Sequence, residues 1–216
     1  MARRNKYDVL VILTNNAALI WKEARGIAPD SAADKLDNAM LEWQSELTKT
    51  LEIWIDKGLA MTTDELILAR ANLGAVVESW LKFFYCVYYD DYCKNPITNN
   101  KGKMIEPEKA SFNNLKDFSS GKLWDDASSS EYAWVDSVQH KRNAIHSFRY
   151  GDIGTSQDFL DDINHLYDFV DNVLSDFPPL EDCIEVYPAG YVMNPYIDLY
   201  VPTNDRQSWI CFQLRA

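Results

Sequence analysis

The chain has 216 residues, 47% of them hydrophobic and 13% aromatic, and a formal net charge of −12. That is enough length and apolar content to bury a core, which excludes a disordered chain. No run reaches the roughly 18 consecutive apolar residues that a membrane span requires. The acidic balance also excludes general nucleic-acid coating, because Lys and Arg neutralising phosphates supply most non-specific affinity. Any nucleic-acid contact must come from a local basic patch, or from two copies combining their patches.

Arg3, Arg4 and Lys6 followed by Val9 and Leu13 have the outline of a leader. Asp8 interrupts the apolar run and no small-residue cleavage site follows, so a cytoplasmic protein is expected. Cys86, Cys93, Cys183 and Cys211 form no CxxC pair and have no His at zinc-ligand spacing. Free thiols are therefore expected, with no metal centre and no cofactor. No Walker-type glycine loop, GxGxxG or GxSxG is present.

In chain order, Val9, Leu13, Ala17, Ile20 and Trp21 have helical spacing and predict a first helix over 7–25, ending near Gly26 and Pro29. Asp30 or Ser31 can cap a second, with Leu36, Met40, Trp43, Leu47, Leu51 and Trp54 recurring every three or four residues before Gly58. Thr62 or Thr63 opens a longer helix to about residue 92. Its apolar residues lie nearly all round, which predicts a central position. Residues 95–107, with Pro96, Gly102 and Pro107, read as a loop, and a short helix follows over 108–118. Two more helices are predicted over 131–146 and 156–176, the second capped by Thr155 or Ser156 and stopped by Pro178 and Pro179. The period then changes. Ile197, Leu199 and Val201 alternate with polar neighbours, a turn follows at Pro202–Asp205, and residues 209–214 form a return strand. The expectation is a mainly α bundle of about six helices over 1–177, with a short β-hairpin tail over 178–216 docked on the bundle or on a partner.

The segment Gln139–His140–Lys141–Arg142–Asn143–Ala144–Ile145–His146 stands out. Trp134, Val135, Val138 and Ile145 define an apolar stripe on a helical wheel, and Gln139, Arg142 and His146 fall along its flank, with Asn143 just beyond. Arg142 and His146 share a face if the helix runs through both. From Ser137 to Gly151 there is no Asp or Glu, while Lys141, Arg142 and Arg149 are present, with Asn143 and Tyr150 as neutral donors. An imidazole able to exchange a proton with a ribose 2′-hydroxyl, beside a guanidinium able to stabilise charge on phosphorus, suits metal-independent RNA cleavage. One His per chain is thin for acid–base work. Two chains about a dyad would supply two His and two Arg to one cleft.

Arg142–Asn143 at the end of a late helix, His146 shortly after, and a further helix beyond resemble the HEPN superfamily. The long helix with Asn72–Leu73–Gly74 and Val77–Glu78–Ser79–Trp80–Leu81–Lys82 is similar too, so the likeness covers residues 62–177. The resemblance implies an all-α, often dimeric fold and an endoribonuclease of the toxin or phage-defence kind, with RNA as substrate and an antitoxin or defence-system protein as partner. It assigns phosphate binding to Arg142, proton transfer to His146 and orientation to Asn143, with Gln139, Lys141, Arg149 and Tyr150 around the substrate. In that family four to six residues separate the Arg from the His. Here three do, which a local change in helix winding would absorb, and which otherwise marks a non-catalytic member. The competing readings are a HEPN-like interaction or anion-binding module, and a purely structural pair in which Arg142 and His146 cap their own helix. His165, four after Asp161, reads as an exposed helix pair, and the run from Phe83 to Tyr89 as core.

Overall fold

The computed structural model describes residues 3–146 and 151–178, and is helical throughout, without a strand among those residues. The predicted β-hairpin tail lies outside the described residues, as do Arg149 and Tyr150. The helices are α1 (Arg3–Lys22), α2 (Asp30–Asn38), α3 (Leu41–Lys49), α4 (Leu51–Lys57), α5 (Thr63–Val87), α6 (Tyr89–Lys94), α7 (Phe112–Phe118), α8 (Ser130–Arg142) and α9 (Ser156–Ser175). Short 3₁₀ turns occupy Gly58–Ala60, Pro107–Lys109 and Asn143–His146. No described helix is long and apolar enough to cross a membrane.

The helix expected over 30–57 is three helices, and side chains from elsewhere explain both breaks. Ala39 turns to extended backbone (φ −76°, ψ 144°) at the end of α2. There the Lys22 ammonium donates to the carbonyls of Asp37 (3.0 Å) and Ala39 (2.8 Å), acting as a cation on a helix C-terminus. At the α3–α4 junction, Asn72 of α5 donates to the Leu47 carbonyl (3.0 Å) and accepts from Trp54 Nε1 (3.1 Å). The long helix also stops early. Tyr88 leaves helical geometry (φ −93°, ψ 37°) and separates α5 from α6.

The ends that hold are those with local caps. Thr62 N–H donates to the Glu65 carboxylate (3.0 Å) at the start of α5. At α9 the Asp158 N–H donates to Thr155 Oγ1 (3.2 Å), and Asp158 Oδ2 accepts from the Thr155 N–H (2.7 Å), a reciprocal capping box.

Helix α5 lies at the centre, as its composition predicts. Leu73, Val76, Val77, Trp80 and Leu81 are fully buried, and α1, α2, α3, α8 and α9 surround the core. Each such side chain removed from water contributes about 1.5–3 kcal/mol, before the conformational entropy that opposes folding. Phe177, just past α9, seals one end by edge contacts with Trp21 (5.3 Å between centroids) and Phe83 (5.1 Å). Phe83 through Val87 are core residues. Burial pushes the Cys86 thiol up to about 12, so it is inert, whereas Cys93 is exposed.

Helix α8 meets α5 at Gly74. A Cβ there would lie 2.4 Å from Arg142 Cβ and 2.3 Å from its Cγ. Only a glycine admits the Arg142 stem so close to the α5 backbone. Gly74→Ala gains up to about 1 kcal/mol of helix propensity, but overpacking a tight contact costs about 1–3 kcal/mol. Urea denaturation is expected to show a net loss of up to about 2 kcal/mol. A more stable variant would mean that the two helices separate freely here.

Candidate functional site

Ser129 starts α8 by accepting the Tyr132 N–H (3.1 Å), and the buried stripe of Trp134, Val135 and Val138 seats the helix on the core. His140, Lys141 and Arg142 fill its last turn, where cations complement the negative end of the helix. The α-helix ends at Arg142 and the chain tightens into the 3₁₀ turn Asn143–His146. The handover is visible in the Asn143 N–H, which reaches back to the carbonyls of both Gln139 and His140.

The change of winding moves the last residues. An α-helix advances about 100° and 1.5 Å per residue, against about 120° and 2.0 Å in 3₁₀ geometry. Ile145, which the wheel assigns to the buried stripe, is instead exposed. Arg142 and His146 do not share a face in the way a continuous α-helix would give.

Each described candidate has a definite environment. Arg142 has a side chain 31% exposed, donates from Nη2 to Glu78 Oε2 on α5 (3.1 Å), and directs Nη1 toward Asn143 Oδ1 (3.4 Å). Asn143 and His146 are exposed, and Gln139 is half-buried. Lys141 turns the other way, its Nζ 3.5 Å from Asp162 Oδ2 on α9. His140 is exposed, with Nδ1 2.8 Å from the Asp136 carbonyl and 3.3 Å from its carboxylate. The fold therefore brings Arg142 and Asn143 together and sends Lys141 away from them.

The stretch free of acids in sequence is not free of them in space. Glu78, Asp162 and Asp136 sit against its Arg142, Lys141 and His140 respectively. The exposed groups beyond α8 include Asn143, Ile145 and His146, with part of the Arg142 fork also reaching solvent.

Behind Lys141 lies a cluster that the segment alone does not reveal. Arg70 of α5, with a side chain 1% exposed, pairs with Asp162 and donates from Nε to the Ile153 carbonyl (2.9 Å). Asp162 also accepts from Trp134 Nε1 (2.9 Å). One carboxylate thus joins α5, α8 and α9, and the same arginine pins the loop beyond the 3₁₀ turn. Gly154 in that loop has φ +65°, and a Cβ there would lie 3.2 Å from Arg70 Nη2. The Asp158 carboxyl nearby is held below the usual carboxylate range, chiefly by the Thr155 backbone and hydroxyl. His165 is not exposed. It is half-buried and stacks on Trp134 at 4.5 Å. No group of three His, Cys, Asp or Glu suited to a metal occurs among the described residues.

No family model, curated protein or solved structure matches this chain.

Removing the shared carboxylate tests the cluster. Asp162→Ala leaves Arg70 buried without a counter-charge, and the expected loss is about 3–5 kcal/mol by chemical denaturation. A loss as small as that of a surface ion pair, about 0–1 kcal/mol, would show that Arg70 is satisfied without Asp162.

Proposed function

We propose that this chain is a HEPN-like, metal-independent endoribonuclease whose Arg142, Asn143 and His146 form a half-site completed by a second copy. The observation that carries the reading is the 3₁₀ winding of Asn143–His146. One α-helical step out of Arg142 and three 3₁₀ steps rotate the chain to a net angle of about 100° and advance it about 7.5 Å. Five α-helical steps give about 140° and 7.5 Å, whereas four give only about 40° and 6 Å. The tighter turn gives the short Arg142–His146 interval the reach of an interval one residue longer, and turns it part of the way toward that interval's direction. That is the shortest spacing the resembled family uses.

Each group has a role in the reaction. His146 takes the proton from the 2′-hydroxyl as its oxygen attacks phosphorus, and the partner copy's imidazole protonates the leaving 5′-oxygen. The product is a cyclic phosphate and a free hydroxyl. Arg142 stabilises the charge that builds on the non-bridging oxygens. Glu78 holds the guanidinium from one side, and because the pair is partly exposed it is worth about 0–1 kcal/mol, small enough for a phosphate to share the fork. Gln139, Arg149 and Tyr150 are the surrounding substrate contacts, whereas Lys141, turned to Asp162, stands apart from them. The setting we infer is a toxin or defence protein with a matching antitoxin or defence-system partner. The second reading, a non-catalytic interaction or anion-binding module, is favoured by the carboxylates set against Arg142 and Lys141.

His146→Ala is expected to slow RNA cleavage by about 100- to 10,000-fold, and Arg142→Ala by about 100- to 1,000-fold. His146→Ala should leave the thermal melt unchanged and Arg142→Ala should lower it only slightly, through lost stem packing on Gly74 and the lost Glu78 pair; cleavage should persist in EDTA, and the product should carry a cyclic phosphate. Intact RNA after incubation with wild-type protein over a broad pH range would leave the non-catalytic module. A matching loss of stability in both variants would make the pair structural.

A further inference from the structure

The C-terminal ends of α5, α6, α7 and α9 meet around a cavity of about 350 Å³, away from the Arg142 segment. Its walls include the rings of Phe84, Tyr85, Tyr88, Tyr92 and Phe118. The three tyrosine hydroxyls are already engaged. Tyr85 shares a hydrogen bond with Ser119 Oγ (2.8 Å), Tyr88 donates to the Asp176 carbonyl, and Tyr92 donates to the Ile105 carbonyl (2.5 Å). Beside the Asn95 amide and the Lys122 ammonium, what remains for a ligand is mainly aromatic surface.

The charge pattern points the same way. Helix C-termini carry partial negative charge, and here the 25-residue α5 and the 20-residue α9 both end at the cavity. Asp176, the C-cap of α9, adds a carboxylate that forms no ion pair among the described residues. Partial desolvation raises its carboxyl above the ordinary value. Asp91, also on the wall, is paired with Lys94 at 2.6 Å. One cation of the chain already uses this surface. Lys122 Nζ lies 3.8 Å from the Phe118 ring centroid and donates to the Phe118 carbonyl (2.7 Å), with no carboxylate partner among the described residues.

We propose that this cavity binds a small alkylated ammonium ion, its charge held by the aromatic faces and the Asp176 carboxylate and its methyl groups filling the apolar space. A quaternary nitrogen asks for no hydrogen bond and is attracted by ring faces, which matches walls whose tyrosine hydroxyls are already engaged. Lys122 is then a tethered competitor for the same surface.

The test uses the full chain, with choline as probe and its neutral tert-butyl analogue as control, read by titration calorimetry and by tyrosine ring NMR shifts. Choline is expected to bind at least about tenfold more tightly than the neutral analogue, the ratio that corresponds to a desolvated cation–ring attraction. Lys122→Met should tighten choline binding and Asp176→Asn should weaken it, each several-fold. Both positions are exposed, so the fold is expected to survive. Equal affinity for choline and its analogue overturns the proposal. So does an absence of binding in the millimolar range by both wild type and Lys122→Met, or an affinity that neither substitution moves.

Discussion

The approach of α8 to the backbone of α5 at Gly74 fixes the geometry of the candidate segment. Because no Cβ intervenes, the Arg142 stem lies directly on the central helix, and its guanidinium reaches Glu78 one turn further along. A residue held in this way cannot swing with a fraying helix end. The chain beyond it then starts its last turn from a fixed point, and small changes in winding translate into defined displacements of Asn143, Ile145 and His146.

A second constraint acts from the other side. Arg70 and Asp162 join α5 to α9, Trp134 brings in α8, and the Ile153 carbonyl brings in the loop that leads to α9. Buried ion pairs of this kind add little net stability over an apolar core, but they penalise any arrangement that breaks them. The outcome is a rigid frame on both flanks of the 3₁₀ turn, with the exposed polar groups of the candidate half-site at its edge. Catalytic pairs need such support, since misplacement by a fraction of an ångström to an ångström is costly in rate.

Much of the architecture is legible in the sequence because it depends on local patterns. The all-round apolar composition of residues 66–87 announces a central helix, and the caps at Thr62 and Thr155 are each one of the two candidates the sequence offers. The subdivision of residues 30–57 is not legible, because Lys22 and Asn72 act on carbonyls many residues away. The candidate segment is readable as residues but not as geometry. An α-helical wheel assigns Ile145 to the core, and only the switch to 3₁₀ winding explains its exposure. The absence of acids between Ser137 and Gly151 likewise misleads, since Glu78 and Asp162 arrive from other helices. Arg70 carries a signal of its own, a guanidinium set among the apolar residues of the central helix. Its partner 92 residues away does not.

The winding of residues 142–146 is the claim on which the functional account turns, and nuclear Overhauser contacts along the backbone measure it directly. In 3₁₀ geometry the Arg142 α-proton approaches the amide proton of Ala144 and is distant from that of His146, and this pattern is what the account predicts. A clear contact from Arg142 to the His146 amide, with none to Ala144, would show an unbroken α-helix through the pair. His146 would then sit one α-helical turn above Arg142, and the reach of a longer spacing would be lost.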